Sequence, residues 1–256
     1  AIQCIVSLKK YEYFDLGWGY GFNREGCSSH PATIGMALSG KLPEPDLLLC
    51  SGPSPCDSSN MMFEVLSDLY QKPTFYLNHP YGSSEKKVQH YRKELESLIG
   101  FIEEHTDCRF RDDGKLKALL ENSKLITKYD QAIQKLRKRV PCPMHGKVAG
   151  EGWGYRTMGE GLPETVDYFR ALYEEVKEVA DRGEGAIPEE RYRIMVNGVA
   201  PFWGMKLFDW MEEKYKAIVV SDWGNLLKYM ITPEDTSDPL DCLAQKAHTG
   251  STLEFA

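Results

Sequence analysis

The stretch Pro45-Asp46-Leu47-Leu48-Leu49-Cys50-Ser51-Gly52-Pro53 contains a short apolar run between two sets of turn residues. A run of this length, bounded by Pro, Ser and Gly, is typical of a buried strand. After the next loop, Asp57 or Ser58 can cap a helix. Lys72-Pro73 then breaks the helical pattern, and Thr74-Phe75-Tyr76-Leu77 predicts another strand. Strand, helix and strand in this order indicate a βαβ unit with a parallel sheet.

The same alternation returns near Arg191. Tyr192–Val196 and Ala217–Val220 predict two strands, separated by an Asn197-Gly198 loop and a helix over Lys206–Lys214. Long amphipathic helical patterns lie between the two α/β segments. We therefore expect an α/β protein with two Rossmann-like parallel-sheet lobes joined by a helical middle region. The expected domains are residues 1–82, 83–190 and 191–256, the last being an incomplete second lobe.

Two glycine-rich stretches, one ending near Asn23 and the other covering residues 146–161, predict turns more than helices. Pro163 suits the first position of a helix. The basic run Lys135-Leu136-Arg137-Lys138-Arg139 falls at the end of a helical pattern, where cations suit the negative end of the helix dipole. We interpret it as a solvated helix end.

Charge and hydropathy exclude two classes of function. The 31 basic and 38 acidic residues give a net charge of −7, which offers no electrostatic footprint for nucleic acid. No stretch approaches the ~20 apolar residues that a bilayer span needs, and the N-terminus lacks a secretory signal. Seven irregularly spaced cysteines favour a reduced, cytoplasmic protein, in which cysteine serves packing, metal binding or redox chemistry.

Cys27 and Cys56 are the cysteines best placed for chemistry. Cys56 lies between a predicted strand and a predicted helix, where doubly wound sheets bind ligands. A helix N-terminus favours a thiolate and an anionic cluster. Cys27 also precedes a helical pattern. The other cysteines are predicted to be structural: Cys4, Cys50, Cys108, Cys142 and Cys242.

Spacing alone leaves the chemistry of this pair open. Cys27 and Cys56 could be ordinary free cysteines, or a cysteine could form a nucleophile pair with a histidine. A zinc site is a further possibility, since cysteine and histidine are acceptable ligands. Its residues would be Cys27, His30, Cys56 and His79.

Several segments between Tyr20 and Lys246 resemble segments of one known protein family and occur in the same order as in that family. Gly26–Gly35 looks like a first cluster-cysteine segment, Pro45–Leu49 with Cys56-Asp57 like a second, and Lys72–Tyr81 like the strand that follows. Later matching segments are Pro141–Pro143, Glu164–Arg182, Arg193–Gly198, Ala217–Asp222 and Asp238–Leu240. The ordered set resembles the 2-hydroxyacyl-CoA dehydratase / benzoyl-CoA reductase family, and within it an iron–sulfur subunit of the D-component type.

The resemblance implies that Cys27 and Cys56 are two ligands of an oxygen-sensitive [4Fe-4S] cluster. In the dehydratases, an ATP-hydrolysing iron–sulfur activator protein supplies one electron, which passes to the thioester carbonyl of the acyl-CoA and leads to loss of the 2-hydroxyl. The benzoyl-CoA reductases instead reduce an aromatic acyl-CoA. In both, two related subunits form a heterodimer. The implied enzyme is thus a lyase, or an oxidoreductase, of anaerobic metabolism.

The sequence departs from the family pattern in one respect. The family takes a third cluster cysteine from a segment that follows the equivalent of Asp238-Pro239-Leu240, and Ser251–Ala256 shows no such element. Cys242 lies in a predicted helix over Leu240–Ala247. Two alternatives therefore stay open. One is a non-catalytic partner subunit of such a complex, and the other is an unrelated α/β binding protein with zinc or no metal.

Overall fold

Helices and strands alternate along the chain in the computed structural model, which describes residues 11–51, 56–80, 84–110, 114–196, 204–222 and 231–251. The chain divides into two compact units, residues 1–111 with 251–256, and residues 112–250. The first unit contains α1 (Tyr11–Gly19), α2 (Ser29–Leu38), β1 (Leu48–Ser51), α3 (Asp57–Tyr70), β2 (Thr74–Leu77) and α4 (Glu85–His105). The second contains α5 (Lys115–Leu136), α6 (Gly146–Gly159), α7 (Pro163–Asp181), β3 (Tyr192–Met195), α8 (Lys206–Tyr215), β4 (Ala217–Ser221) and α9 (Pro239–Ser251).

The βαβ unit predicted for the first part of the chain is confirmed. β1 pairs in parallel with β2, from Leu48 opposite Thr74 to Ser51 opposite Leu77, and α3 connects the two strands. Ile34 of α2, Leu48 of β1 and Leu66 of α3 form the buried core of this unit. Residues from three elements therefore hold α2 and α3 against β1.

The aromatic, glycine-rich start of the chain forms a helix, α1, where the sequence predicted irregular structure. α1 packs closely against α2, and the packing depends on two glycines. A Cβ at Gly17 would overlap the carbonyl of Pro31, and a Cβ at Gly35 would overlap the carbonyl of Tyr13. The glycines thus permit backbone-to-backbone contact between two helices, which local propensity does not predict.

A second parallel pair is confirmed in the second unit. β3 pairs with β4 from Tyr192 opposite Ala217, with an irregularity between Ile194 and Met195. The predicted loop at Asn197-Gly198 lies outside the described residues, as does Cys4. The α/β class is therefore confirmed. The Rossmann-like form of the two lobes and the boundaries near residues 82 and 190 stay predictions.

The long helices predicted for the middle of the chain are also present. Ile126 and Ile133 of α5 pack with Phe169 and Val176 of α7 in the largest buried apolar cluster of the second unit that the structure describes. α7 begins at Pro163, as predicted. Among the described helices, none combines the length and the apolar character that a bilayer crossing needs.

The stretch predicted to be turn-rich, residues 146–161, is mostly helical, as α6. Its glycines allow neighbouring side chains to approach. A Cβ at Gly146 would lie 2.8 Å from Cβ of Val219, and Gly152 faces the ring of Phe169. Tertiary packing therefore overrides the low helix propensity of glycine in this segment.

The basic run at residues 135–139 ends helix α5 as predicted, but Arg137 within it is buried. Its side chain is 0% exposed and donates hydrogen bonds to Asp222 at 2.6 Å and to the carbonyl of Val219 at 2.9 Å. The carboxylate at the end of β4 compensates the buried guanidinium charge. The interpretation of this whole run as solvated is thus wrong at Arg137.

In each unit, a helix that precedes a strand is followed by one residue that has a positive φ although it is not glycine. Gln71 follows α3 with φ of 52°, and Lys216 follows α8 with φ of 55°. The left-handed conformation at this position lets the chain leave the helix sharply. β4 begins at the next residue, Ala217, and β2 begins at Thr74.

Candidate functional site

The two cysteines singled out by sequence both lie at helix starts in the first unit. Cys56 is the N-cap residue of α3, and Cys27 lies two residues before the first residue of α2. Both are free thiols. Helix N-termini present unpaired N–H groups and the positive end of the helix dipole, which favours bound anions and thiolates. The predicted setting of both cysteines before helices is confirmed.

Cys56 is half-buried and has polar neighbours on two sides. Its Sγ lies 3.3 Å from Oγ of Ser58 and 4.0 Å from Nε2 of His30. Its carbonyl accepts hydrogen bonds from the backbone N–H of Ser59 and, at 2.6 Å, from the Ser59 hydroxyl. The side chain makes no capping hydrogen bond to the helix, so the sulfur is available for another partner.

Cys27 is more accessible than Cys56. The thiol is exposed and lies 2.9 Å from Oγ of Ser29. Its carbonyl accepts a hydrogen bond from the backbone N–H of His30 at 3.2 Å. His30 thus contacts both cysteines, Cys27 through its backbone and Cys56 through its ring.

His30 is buried, with 8% of its surface exposed, although it lies in the first turn of a helix. Burial lowers the pKa of His30, because desolvation disfavours the imidazolium form. The neutral ring has one N–H donor and one acceptor nitrogen. It can therefore donate a hydrogen bond to a sulfur atom without placing a second buried charge at the site.

Cys50 occupies the buried strand position that the sequence predicted. It is 2% exposed, and its thiol lies 3.3 Å from Oδ1 of Asn60. Burial raises the pKa of Cys50; a hydrogen bond with Ser59 opposes this, and the charge of Cys56 adds to it. Cys50 is therefore held as a neutral thiol in the core. Cys142 and Cys242 are also buried.

The residues present offer thiolate sulfur, which is the type of donor atom that an iron–sulfur cluster needs. Two free thiols stand at two helix starts, and the buried ring of His30 lies 4.0 Å from the sulfur of Cys56. Thiolate is the usual protein ligand of such clusters. Neither the four-residue zinc site nor a third cluster ligand is assembled from the described residues. Within the described ranges, no three His, Cys, Asp or Glu side chains are placed to hold a metal ion. His79 instead packs its ring against Tyr91, with centroids 4.8 Å apart.

A second polar group of residues, in the second unit, was not predicted. Nδ1 of His145 lies 2.6 Å from Glu212, and the backbone N–H of Gly146 donates to the other carboxylate oxygen at 3.0 Å. The Glu212 side chain is 7% exposed and the His145 side chain 51%. The hydrogen bond with Glu212 raises the pKa of His145. The pair borders a cleft that Lys147, Ile187 and Asp209 also line.

Nothing local in the sequence marks His145 and Glu212 as partners, since 67 residues separate them. The nearest signal is Glu212 itself, which lies on the side of α8 that carries the buried Phe208. A carboxylate at an apolar helix position predicts a buried partner. It does not identify which cation fills that role.

A comparison with known protein families gives a match over nearly the whole chain. Residues 2–253 match the family model described as 2-hydroxyglutaryl-CoA dehydratase, D-component. A search of curated proteins found none that matches the sequence. The family match extends over both compact units and includes Cys27, Cys56 and His145.

Proposed function

Because the chain belongs to the 2-hydroxyglutaryl-CoA dehydratase D-component family, we propose that it is the iron–sulfur subunit of a 2-hydroxyacyl-CoA dehydratase-type complex. Its substrate class is a CoA thioester with a hydroxyl at carbon 2, from which the complex eliminates water. The observation that carries the proposal is that Cys27 and Cys56 each lie at a helix start, with the buried ring of His30 4.0 Å from the sulfur of Cys56.

In this proposal Cys27 and Cys56 are two ligands of a [4Fe-4S] cluster. When bound, the cluster supplies a one-electron reduction, chemistry that protein side chains alone do not provide. The chain holds the ligands in place through the core of Ile34, Leu48 and Leu66, which fixes α2 and α3. The N-terminal N–H groups of both helices favour the negative charge of thiolate ligands.

The two cysteines would differ in their exposure to other molecules. The exposed thiol of Cys27 places one side of the site at the surface of this unit, whereas the half-buried thiol of Cys56 faces His30. We propose that the partners are a related second subunit and an ATP-hydrolysing activator protein. Electron delivery from such a partner requires an accessible edge, and Cys27 provides one.

The first test is the iron and acid-labile sulfide content of the full chain, purified without oxygen. We expect about four of each per chain, with a broad visible absorption that bleaches in air. Bound zinc without that absorption would contradict the proposal and favour an unrelated binding protein. No bound iron would contradict the cluster and leave a non-catalytic partner subunit.

Cysteine variants then test the two proposed ligands. Cys27→Ala and Cys56→Ala should each lose most of the bound iron while the helical circular dichroism is retained. Cys108→Ala is the matched control for the exposed cysteine and Cys50→Ala for the buried one, and both should keep the iron. Equal iron loss in Cys50→Ala and Cys56→Ala would show that the wrong cysteine has been assigned.

The reaction itself is tested with the assembled complex, an activator, ATP and a reductant. We expect conversion of a 2-hydroxyacyl-CoA to the corresponding enoyl-CoA, detected as the loss of one water by mass spectrometry. Reduction of an aromatic acyl-CoA without turnover of the hydroxy substrate would instead assign the chain to the ring-reducing type.

A further inference from the structure

The ring of His30 links the two helices that carry the candidate ligands. His30 lies in the first turn of α2, while the sulfur that its Nε2 approaches belongs to Cys56 at the start of α3. The separation of 4.0 Å is at the long end of hydrogen bonds to sulfur. Since the two residues are 26 positions apart, tertiary packing creates the contact.

The burial of His30 supports a hydrogen bond at this contact. Histidine is intermediate among residues in its tendency to be buried, and buried polar groups are nearly always hydrogen-bonded. His30 has 8% of its surface exposed, and Cys56 is the side chain within the described residues that its ring can hydrogen-bond. The ring of a surface helix residue would not need such a partner.

We propose that His30 is a positioning residue that donates its Nε2–H to the sulfur of Cys56 and thereby raises the reduction potential of the cluster, an inference that rests on the proposed function. Hydrogen bonds to cluster sulfurs stabilise the more negative, reduced state. Groups just outside the ligand shell also fix the orientation of the ligands. The ring of His30 can perform both roles, because it reaches the sulfur of Cys56 from a different helix.

The hydrogen-bond role differs from that of a third ligand. A nitrogen that carries the proton donated to sulfur has no lone pair for iron. The two roles therefore make opposite predictions for a substitution that keeps a donor but removes the imidazole. Glutamine is such a substitution, since its amide can place an N–H near the position of Nε2 and is a poor iron ligand.

The experiment compares His30→Gln and His30→Phe with the wild-type chain, all purified without oxygen, by redox titration followed by EPR of the reduced cluster. We expect His30→Phe to bind iron and to shift the midpoint potential to more negative values with altered EPR g-values. His30→Gln should restore most of the wild-type potential. His90→Gln, at an exposed position of α4, is the control and should leave the potential unchanged.

Two results would overturn the assignment. Loss of the cluster in both His30 variants would identify His30 as a ligand. Unchanged potentials and spectra in both would leave only a packing role for the ring.

A measurement on iron-free protein tests the hydrogen bond separately from the cluster. Nitrogen-15 NMR of labelled histidine should show His30 as the tautomer protonated at Nε2. Its Nε2 resonance should move in Cys56→Ala and stay fixed in Cys108→Ala. The Nδ1-protonated tautomer, or a resonance insensitive to Cys56, would contradict the hydrogen bond even if His30→Phe does not fold. A wild-type chain without a cluster would contradict the proposed function and the tuning role together, whatever NMR shows of the contact.

Discussion

His145 and Glu212 form a residue pair whose charge depends on pH. The hydrogen bond with Glu212 raises the pKa of His145 above 6.5; the negative charges of Glu212 and Asp209 act in the same direction, and partial burial opposes them. A histidine whose pKa is higher in the folded than in the unfolded chain stabilises the fold most at low pH. That stabilisation is complete below the unfolded pKa and is lost as the pH rises through the folded pKa.

Replacing His145 by glutamine should therefore destabilise the protein in a pH-dependent way. Because the ring is half exposed and screened by solvent, we expect the free energy of unfolding to fall by about 0.5 to 1 kcal/mol at acidic pH. The difference should approach zero above the raised pKa. Urea unfolding of the variant and the wild-type chain at several pH values measures it. A difference that is constant with pH would show that the pair does not titrate as described.

At the scale of single residues, the sequence predicted the position of Cys27 and Cys56 before helices but not the contacts around them. Cys56 could be placed because a strand, a loop and a helix follow one another locally. The approach of His30 to Cys56 and the pairing of His145 with Glu212 could not be placed, since each joins residues on different elements. Those contacts depend on how the helices pack. A periodic apolar pattern predicts which face of a helix is buried, but not which residues of another element contact that face.

Among the elements, the close contact between α1 and α2 is sensitive to a small change. Gly35→Ala would place a methyl group against the backbone carbonyl of Tyr13, which cannot rotate away. We expect a loss of at least about 2 kcal/mol in the free energy of unfolding, as for overpacked cores. Gly100→Ala, inside α4 with no atom of another element within 4 Å of the new methyl, is the matched control.

The control substitution should be neutral or stabilise the protein by up to about 1 kcal/mol, because alanine favours the helix more than glycine does. Urea unfolding of both variants gives the comparison. Similar small effects at both glycines would show that α1 does not lie against α2 as described.

The elements that the sequence predicted and those it missed differ in composition. The described strands correspond to short runs that are mostly apolar and are bounded by turn residues or charged residues, and the amphipathic patterns of α5 and α7 identify those helices. α1 and α6 are rich in glycine, which lowers helix propensity wherever the chain is considered alone. In the folded protein the same glycines allow close packing. Glycine therefore lowers the helix propensity of these segments but stabilises their helices through tertiary contacts.

At the scale of the whole molecule, the two compact units have separate buried cores and only the first contains the candidate ligands. Removal of iron by a chelator should therefore increase amide hydrogen exchange in the first turns of α2 and α3. Exchange in α5 and α7 should change little. Hydrogen exchange with mass spectrometry, before and after chelation, measures this. Equal changes in both units, or no change near Cys27 and Cys56, would contradict a cluster confined to the first unit.

The corners at Gln71 and Lys216 limit where the chain can gain or lose residues. One left-handed residue separates α8 from β4, and three residues separate α3 from β2. Such short connections cannot accommodate an inserted residue. An extra residue in either helix would therefore shift the register of the strand that follows. Because side chains alternate between the two faces of a strand, a shift by one position would turn Ile218 away from the core. Length variation among related chains should therefore fall outside these two corners.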